Sequence, residues 1–257
     1  MSNDDFPPVR VNPPAFNVPG VVLAAILAFT LVQALRSFVL TPDSDDWLIT
    51  EFSFVAACYS ENCAEFFGRD PGAQFWSPLS YAFLHGDWMH LGLNVIWMLA
   101  FGTPVARRLG NARVIAFSAV GAMIGALAFY VSSPDLMVPV IGASGIVSAL
   151  MGGACRFALG SVGRPLPAGA DLPLLSIRQA LSDRTVIFFI VIFFATNLLT
   201  ASGLGGFLDG GASVAWQAHL GGFVFGFLGL ALFEPHRRQP LAPREAMEED
   251  DLRSAAD

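Results

Sequence analysis

A serine and a histidine in otherwise apolar stretches have the residue types needed for nucleophilic catalysis. Ser144 stands in the run Gly142-Ala143-Ser144-Gly145, and His219 lies in a hydrophobic stretch further along the chain. A serine hydroxyl is a weak nucleophile until a neighbouring base takes its proton. No carboxylate lies in an apolar stretch near His219, so the hypothesis is a Ser144–His219 dyad rather than a triad.

Candidate oxyanion donors accompany this pair. Attack on a peptide carbonyl creates an oxyanion, which needs hydrogen-bond donors already directed at it. His90 and Asn94 are four residues apart, so a helix would present both on one face. The amide N–H of Ser144, at a helix start, is a third candidate. We predict that His90 and Asn94 stabilise the oxyanion.

The histidines and cysteines do not form a recognisable metal site. His85 and His90 are five residues apart, which does not put them on one helix face as an i, i+4 pair would be. Three widely separated cysteines also make a poor ligand set. We therefore expect neither metal nor cofactor.

The composition is that of a membrane protein. Of 257 residues, 54% are hydrophobic and 14% charged, and the mean hydropathy is +0.57. A soluble domain normally carries about 25% charged residues. The net charge of -7 argues against nucleic acid as a partner, because phosphate binding needs clustered positive charge.

Six stretches are apolar and long enough to cross a bilayer, which takes roughly 20 helical residues. Helices are required because lipid cannot satisfy backbone groups. The second and fourth stretches are short for a full span. The sequence predicts an all-α, six-helix membrane domain over residues 19–233, with cytoplasmic tails at 1–18 and 234–257. The stretches cover approximately residues 19–40, 88–104, 114–131, 144–159, 185–201 and 214–233.

Arginine positions predict the orientation. Cytoplasmic loops of membrane proteins carry an excess of positive charge. Only Arg36 and Arg69 fall toward the other side, so we expect cytoplasmic termini and residence in the cell (inner) membrane. The acidic, proline-rich first twenty residues predict no cleavable signal peptide. The arginines on the predicted inner side are Arg10, Arg107, Arg108, Arg113, Arg156, Arg164, Arg178, Arg184, Arg237, Arg238, Arg244 and Arg253.

Small residues predict which helices touch. This orientation makes the starts of spans two, four and six outward, with Asn94 and His219 roughly 8 Å below the outer edge. Small side chains at four-residue spacing let helix backbones approach closely in a membrane. Packing of spans four and six would bring Ser144 Oγ within reach of His219. The small residues are Ser144, Ser148 and Gly152 in span four, and Ala218, Gly222 and Gly226 in span six.

The segment from Thr41 to Asp87 is a long acidic loop with many aromatic residues, predicted to face outward. Its apolar content favours an element on the membrane surface, with half-exposed packing as the alternative. Cys58 and Cys63 both lie in it, and the sequence leaves open whether they form a disulfide. Cys155 is predicted to be a buried thiol.

Three signatures in order resemble the rhomboid family of intramembrane serine proteases, over roughly residues 76–232. The first is His85-Gly86-Asp87-Trp88-Met89-His90-Leu91-Gly92-Leu93-Asn94, similar to the start of the family's second helix. The second is Gly142-Ala143-Ser144-Gly145, similar to its nucleophile motif. The third is Ala218-His219 followed by Gly222 and Gly226, similar to its last helix.

The resemblance implies roles for these residues. Ser144 would be the nucleophile, His219 the general base, His90 and Asn94 the oxyanion donors, and His85 a structural hydrogen-bonder. The glycines would be structural residues near the site. The family's activity implies hydrolysis of transmembrane protein substrates near the outer face, without metal or cofactor, with lateral substrate access past span five. The glycines are Gly142, Gly145, Gly222 and Gly226.

Two positions depart from the family pattern. Where the first loop of the family often has Trp-Arg, Trp76 is followed here by Ser77. Members commonly have a tyrosine four residues after the nucleophile, stacked on the catalytic histidine. Here that position is Ser148, so His219 must be supported from elsewhere.

Two other functions remain as alternatives. A non-catalytic relative would bind transmembrane helices as a chaperone or trafficking factor, but binding requires neither Ser144 nor His219. A small transporter would use the polar cluster as a proton or ion site, but no carboxylate lies within a span and no internal repeat is visible. The sequence does not reveal the oligomeric state.

Overall fold

Helices dominate the computed structural model, which describes residues 18–60, 68–159, 172–202 and 215–234. Five helices are long and apolar enough to cross a membrane, namely α1, α4, α5, α7 and α8, and α6 is a shorter apolar helix. Within the described ranges no β-strand forms. The predicted all-α membrane bundle is thus confirmed. The described helices of eight or more residues are α1 (Gly20–Phe38), α2 (Pro42–Phe52), α3 (Ala73–Ser80), α4 (Trp88–Leu109), α5 (Asn111–Ser132), α6 (Ser144–Cys155), α7 (Arg184–Ala201) and α8 (Trp216–Phe233).

Two helix ends differ from the sequence prediction by four residues or more. Helix α4 continues past Pro104 to Leu109, because a π-helical turn at Met98–Gly102 precedes the proline, whose nitrogen has no hydrogen to donate. It ends where Gly110 adopts φ 78°, a conformation that glycine tolerates readily. Helix α6 ends at Cys155, four residues before the predicted end. The next residue, Arg156, follows the helix end, and its guanidinium donates to the backbone carbonyls of Leu175 and Phe227.

The short helix α6 is the centre of the bundle. All 11 of its residues after Ser144 are buried, and α5 and α8 are its main neighbours. It is therefore surrounded by protein along its length, whereas the longer helices have faces of exposed apolar side chains. Only Ser144, its first residue, is partly accessible.

Helices α6 and α8 pack backbone against backbone. A Cβ atom on Gly226 would lie 1.9 Å from the carbonyl oxygen of Ala149, and one on Gly222 would lie 2.3 Å from that of Gly145. In the other direction, a Cβ on Gly152 would lie 2.2 Å from a carbonyl oxygen of α8. No side chain fits at these distances. The predicted close approach of spans four and six through small residues is confirmed.

The first loop folds against the ends of the helices. Arg36, at the end of α1, forms an ion pair with Asp45 of α2 at 2.6 Å. The buried guanidinium of Arg69 donates to the Ser53 carbonyl at 2.7 Å. Desolvation by burial lowers the pKa of Arg69. Phe75 of α3 is 86% exposed, as expected for a side chain at a membrane interface.

The loop also contacts the segment that leads into α6. Phe54 and Val140 form an isolated antiparallel bridge, with N···O distances of 3.0 and 2.7 Å. The apolar residues before Val140 remain exposed, including Leu136 and Val138. The segment before Ser144 is thereby held by the first loop.

The cysteines separate into two kinds. Cys58 is disulfide-bonded, and Cys63 lies outside the described residues. Cys155 is a free, buried thiol, as predicted. The predicted tails, 1–18 and 234–257, lie almost wholly outside the described residues.

We predict that one methyl group at the α6–α8 contact destabilises the protein. Gly226→Ala forces a Cβ into the Ala149 carbonyl, so the helices must separate, at a cost of about 1–3 kcal/mol in unfolding free energy. Gly92→Ala in α4 is the matched control, because its Cβ meets nothing within 4 Å. That control should keep or slightly raise the stability. Thermal unfolding in detergent is the measurement, and equal stability of the two variants would contradict the packing argument.

Candidate active site

The crossing of α6 and α8 brings the neighbours of Ser144 and His219 to one point. A Cβ on Gly125 of α5 would lie 3.0 Å from the Ala218 carbonyl oxygen and 3.6 Å from Gly145 Cα. Ala218 directly precedes His219, and Gly145 directly follows Ser144. The two predicted catalytic residues therefore lie at the same level of the bundle. Both are half-buried, whereas Ala218 and Gly145 are buried.

Gly142 lies between the serine and the second-span histidine. It adopts φ 120°, a backbone conformation that residues other than glycine rarely adopt. A Cβ there would lie 2.7 Å from His90 Nε2 and 3.8 Å from Ser144 Oγ. The imidazole and the hydroxyl thus flank the same small space. The Gly142 N–H donates to the Tyr81 carbonyl at 2.9 Å, which holds the segment in this conformation.

The surroundings of His90 determine which ring nitrogen can donate. The Asp87 carboxylate accepts the His90 backbone N–H at 2.7 Å and caps α4. The Gly86 N–H donates to His90 Nδ1 at 3.4 Å. Because Nδ1 acts as an acceptor, the neutral ring carries its hydrogen on Nε2. That N–H belongs to the nitrogen beside Gly142 and Ser144.

Asn94 lies one turn after His90 and is buried. Its side-chain nitrogen donates to the His90 carbonyl at 3.1 Å. A primary amide has two N–H groups, so this bond accounts for one of them. The structure therefore brings Asn94 and His90 together on one face of α4, as the four-residue spacing predicted.

His85 contacts the segment that precedes Ser144. It is fully buried, and its Nε2 accepts the Ala143 N–H at 3.5 Å. Its ring centroid is 5.2 Å from that of His90. Burial, with a smaller effect from His90, lowers the pKa of His85 to about 3, so the ring is neutral at physiological pH. Arg36 donates to the His85 carbonyl and links this residue to α1.

The sequence reasoning missed two residues at the site. Asn197 of α7 lies with its Oδ1 2.9 Å from His219 Nδ1. The signal was present, because an amide within an apolar span is costly and calls for a reason. Tyr81 packs against the start of α6, since a Cβ on Gly145 would lie 2.6 Å from its hydroxyl. That hydroxyl donates to the Ala122 carbonyl at 3.0 Å, and no spacing pattern pointed to it.

The helix start supplies a further donor. Ser144 is the first residue of α6, so its backbone N–H has no partner within the helix. The two amides before it are engaged, by the Tyr81 carbonyl and by His85. In the described part of the chain, no group of three or more His, Cys, Asp or Glu residues is arranged to hold a metal ion.

Comparison with known proteins gives consistent matches to one family. Residues 72–235 match the model of the rhomboid domain. The chain is 30% identical over 165 residues to the rhomboid protease GlpG of Serratia proteamaculans, covering 64% of this chain and 50% of that protein. It is 42% identical over 79 residues to human rhomboid-related protein 3, covering 31% of this chain and 19% of that protein. A GlpG of Klebsiella pneumoniae is 34% identical over 86 residues, covering 32% and 30%.

The chain spans half or less of the length of these curated relatives. The domain match covers more than half of the chain and includes every predicted site residue. It agrees with the helical membrane bundle and with the resemblance carried by the three sequence signatures. The chain belongs to the rhomboid family.

Proposed function

We propose that this protein is an intramembrane serine endopeptidase that cleaves transmembrane protein substrates near the outer membrane face. Ser144 is the nucleophile and His219 the general base. The observation that carries the proposal is the shared space beside Gly142, where the Ser144 hydroxyl and His90 Nε2 both lie within 4 Å of one point. The naming of relatives as rhomboid proteases supports the same reaction class.

The reaction follows from the atoms at this point. His219 Nε2 takes the hydroxyl proton while Ser144 Oγ bonds to the carbonyl carbon of the scissile peptide. The carbonyl π electrons move onto oxygen, which is stabilised by the Ser144 N–H, by His90 Nε2–H and by the Asn94 amide. Collapse of this intermediate breaks the C–N bond, and His219 returns the proton to the leaving amine. Water then hydrolyses the acyl-enzyme by the same steps.

Substrate geometry follows from the position of the site in the bundle. The nucleophile lies at the outer start of a helix that is enclosed by others, so a substrate helix must reach it laterally. Helices α1 and α7 are the least enclosed of the spanning helices. In α7 only Val186 and Asn197 are buried, and this helix packs mainly on α8, which carries His219. Access past α7 is therefore part of the proposal, and no metal or cofactor enters the reaction.

The first test is labelling with a fluorescent fluorophosphonate, which reacts only with activated serines. Wild-type protein should be labelled, whereas Ser144→Ala and His219→Ala should lose labelling and cleavage of a model transmembrane substrate by about 10⁴–10⁶-fold. Folding is checked by thermal unfolding. Full-rate cleavage in either variant would refute the assignment. Substrate capture without cleavage by folded wild type would instead favour a non-catalytic helix-binding protein.

A second test addresses the oxyanion. His90→Ala removes the Nε2–H donor, so kcat should fall by about 10²–10³-fold with little change in KM. Met89→Ala is the control, because Met89 is adjacent in α4 and 69% exposed. A His90→Ala variant that cleaves as fast as the Met89→Ala control would remove His90 from the mechanism.

A third test addresses the orientation, with cytoplasmic termini in the cell (inner) membrane. Asp43 in α2 and Arg178 before α7 are both exposed and lie on opposite predicted sides. In intact spheroplasts, a membrane-impermeant maleimide should label Asp43→Cys and spare Arg178→Cys until the cells are lysed. The reverse pattern would invert the proposed topology.

A further inference from the structure

Asn197 is a polar side chain in a helix that is otherwise suited to lipid. Helix α7 has a mean hydropathy of 1.9, and Asn197 is one of its two buried residues. Its Oδ1 lies 2.9 Å from His219 Nδ1. Because unpaired polar groups are costly at this depth, the contact satisfies both side chains.

A second hydrogen bond determines the direction of the first. The Asn197 side-chain nitrogen donates to the Phe193 carbonyl at 2.8 Å, one turn earlier in α7. This bond requires the amide nitrogen on that side, so the carbonyl oxygen faces His219. An amide oxygen only accepts, and the His219 Nδ1 must therefore carry the hydrogen and donate. In the neutral ring, the lone pair is then on Nε2.

An aromatic contact one turn away holds the two helices at this separation. Phe193 of α7 stacks on Phe223 of α8 with ring centroids 4.4 Å apart. Phe193 and Asn197 are four residues apart, as are His219 and Phe223, so both contacts lie along the same seam. The amide is thus held in register with the histidine by packing as well as by hydrogen bonding.

We propose that Asn197 is the positioning residue of His219, in place of the tyrosine that the family commonly stacks on this histidine. The inference rests on the proposed function of His219 as general base. Asn197 fixes the ring orientation and the Nδ1–H tautomer, which leaves Nε2 free to take the Ser144 proton. When the ring becomes imidazolium, the same Nδ1–H bond strengthens because its donor is charged. A neutral amide does this without placing a carboxylate in the membrane.

The structure also explains why the replacement is needed. The position four residues after the nucleophile is Ser148, which is buried and has no ring to stack on His219. Ser148 therefore cannot supply the stacking support, and the contact that orients the imidazole comes from Asn197 of α7. Asn197 acts through His219 and touches no reacting atom.

Asn197→Leu tests the proposal, with Thr196→Val as the matched control. Thr196 is in the same turn of α7, but its hydroxyl bonds to carbonyls of its own helix and it is exposed. Asn197→Leu should lower kcat and the fluorophosphonate labelling rate by about 10²-fold at unchanged KM. Asn197→Asp retains an acceptor oxygen and should recover part of the rate. Wild-type rates in Asn197→Leu would overturn the proposal.

Nitrogen-15 NMR of histidine-labelled protein gives a readout independent of activity. The chain contains only 4 histidines, so the His219 signal can be assigned by its loss in His219→Ala. Wild type and Ser144→Ala should both show the Nδ1–H tautomer, and Asn197→Leu should lose it. If wild type fails to label or cleave, the proposed protease function falls, and the tautomer alone decides whether Asn197 holds His219. An unchanged tautomer in Asn197→Leu would overturn the proposal.

Discussion

The direct contact between the backbones of α6 and α8 is the constraint on which the site depends. Carbonyl oxygens of one helix occupy the positions that side chains of the other would fill, most tightly at Gly226 and Ala149. Without this contact, two residues from distant parts of the chain would not lie at one level. Lipid offers no hydrophobic force between helices, so van der Waals contact over a close interface must hold them together. The glycines therefore determine the geometry of the candidate site.

Polar groups at the site are arranged as a chain of defined donors and acceptors. His85 accepts from the Ala143 N–H, His90 accepts from the loop before α4, and His219 Nδ1 lies in hydrogen-bond contact with the Asn197 side chain. Each of the three rings uses one nitrogen in a hydrogen bond, which determines the role of the other. In a low-dielectric surrounding such bonds are strong, and an unpaired group would be expensive. The hydrogen bonds that satisfy these buried rings are therefore the same ones that orient them at the candidate site.

Much of the fold was predictable because its causes are local. Apolar length identifies spans, small residues identify α6 and α8 as neighbours, and the four-residue spacing of His90 and Asn94 follows from helix geometry. The extension of α4 beyond Pro104 was not predictable. A π-helical turn before the proline lets the helix continue although the proline nitrogen has no hydrogen to donate. The contact of Asn197 with His219 was not predicted, because it depends on how α7 faces α8, and no sequence pattern within one span specifies that. The family resemblance could not supply it either, since the usual support is a residue of another helix.

Because α6 is enclosed by other helices, its length does not have to match the thickness of the bilayer. Its 12 residues rise about 18 Å at the helical pitch, well short of a hydrocarbon layer of roughly 30 Å. A lipid-facing helix so short would thin the membrane around it, but α6 is sheathed by longer helices that meet the lipid instead. Hydrophobic mismatch therefore acts on these longer helices and not on α6. Ser144, the first residue of α6, is therefore positioned by the surrounding protein and not by the lipid.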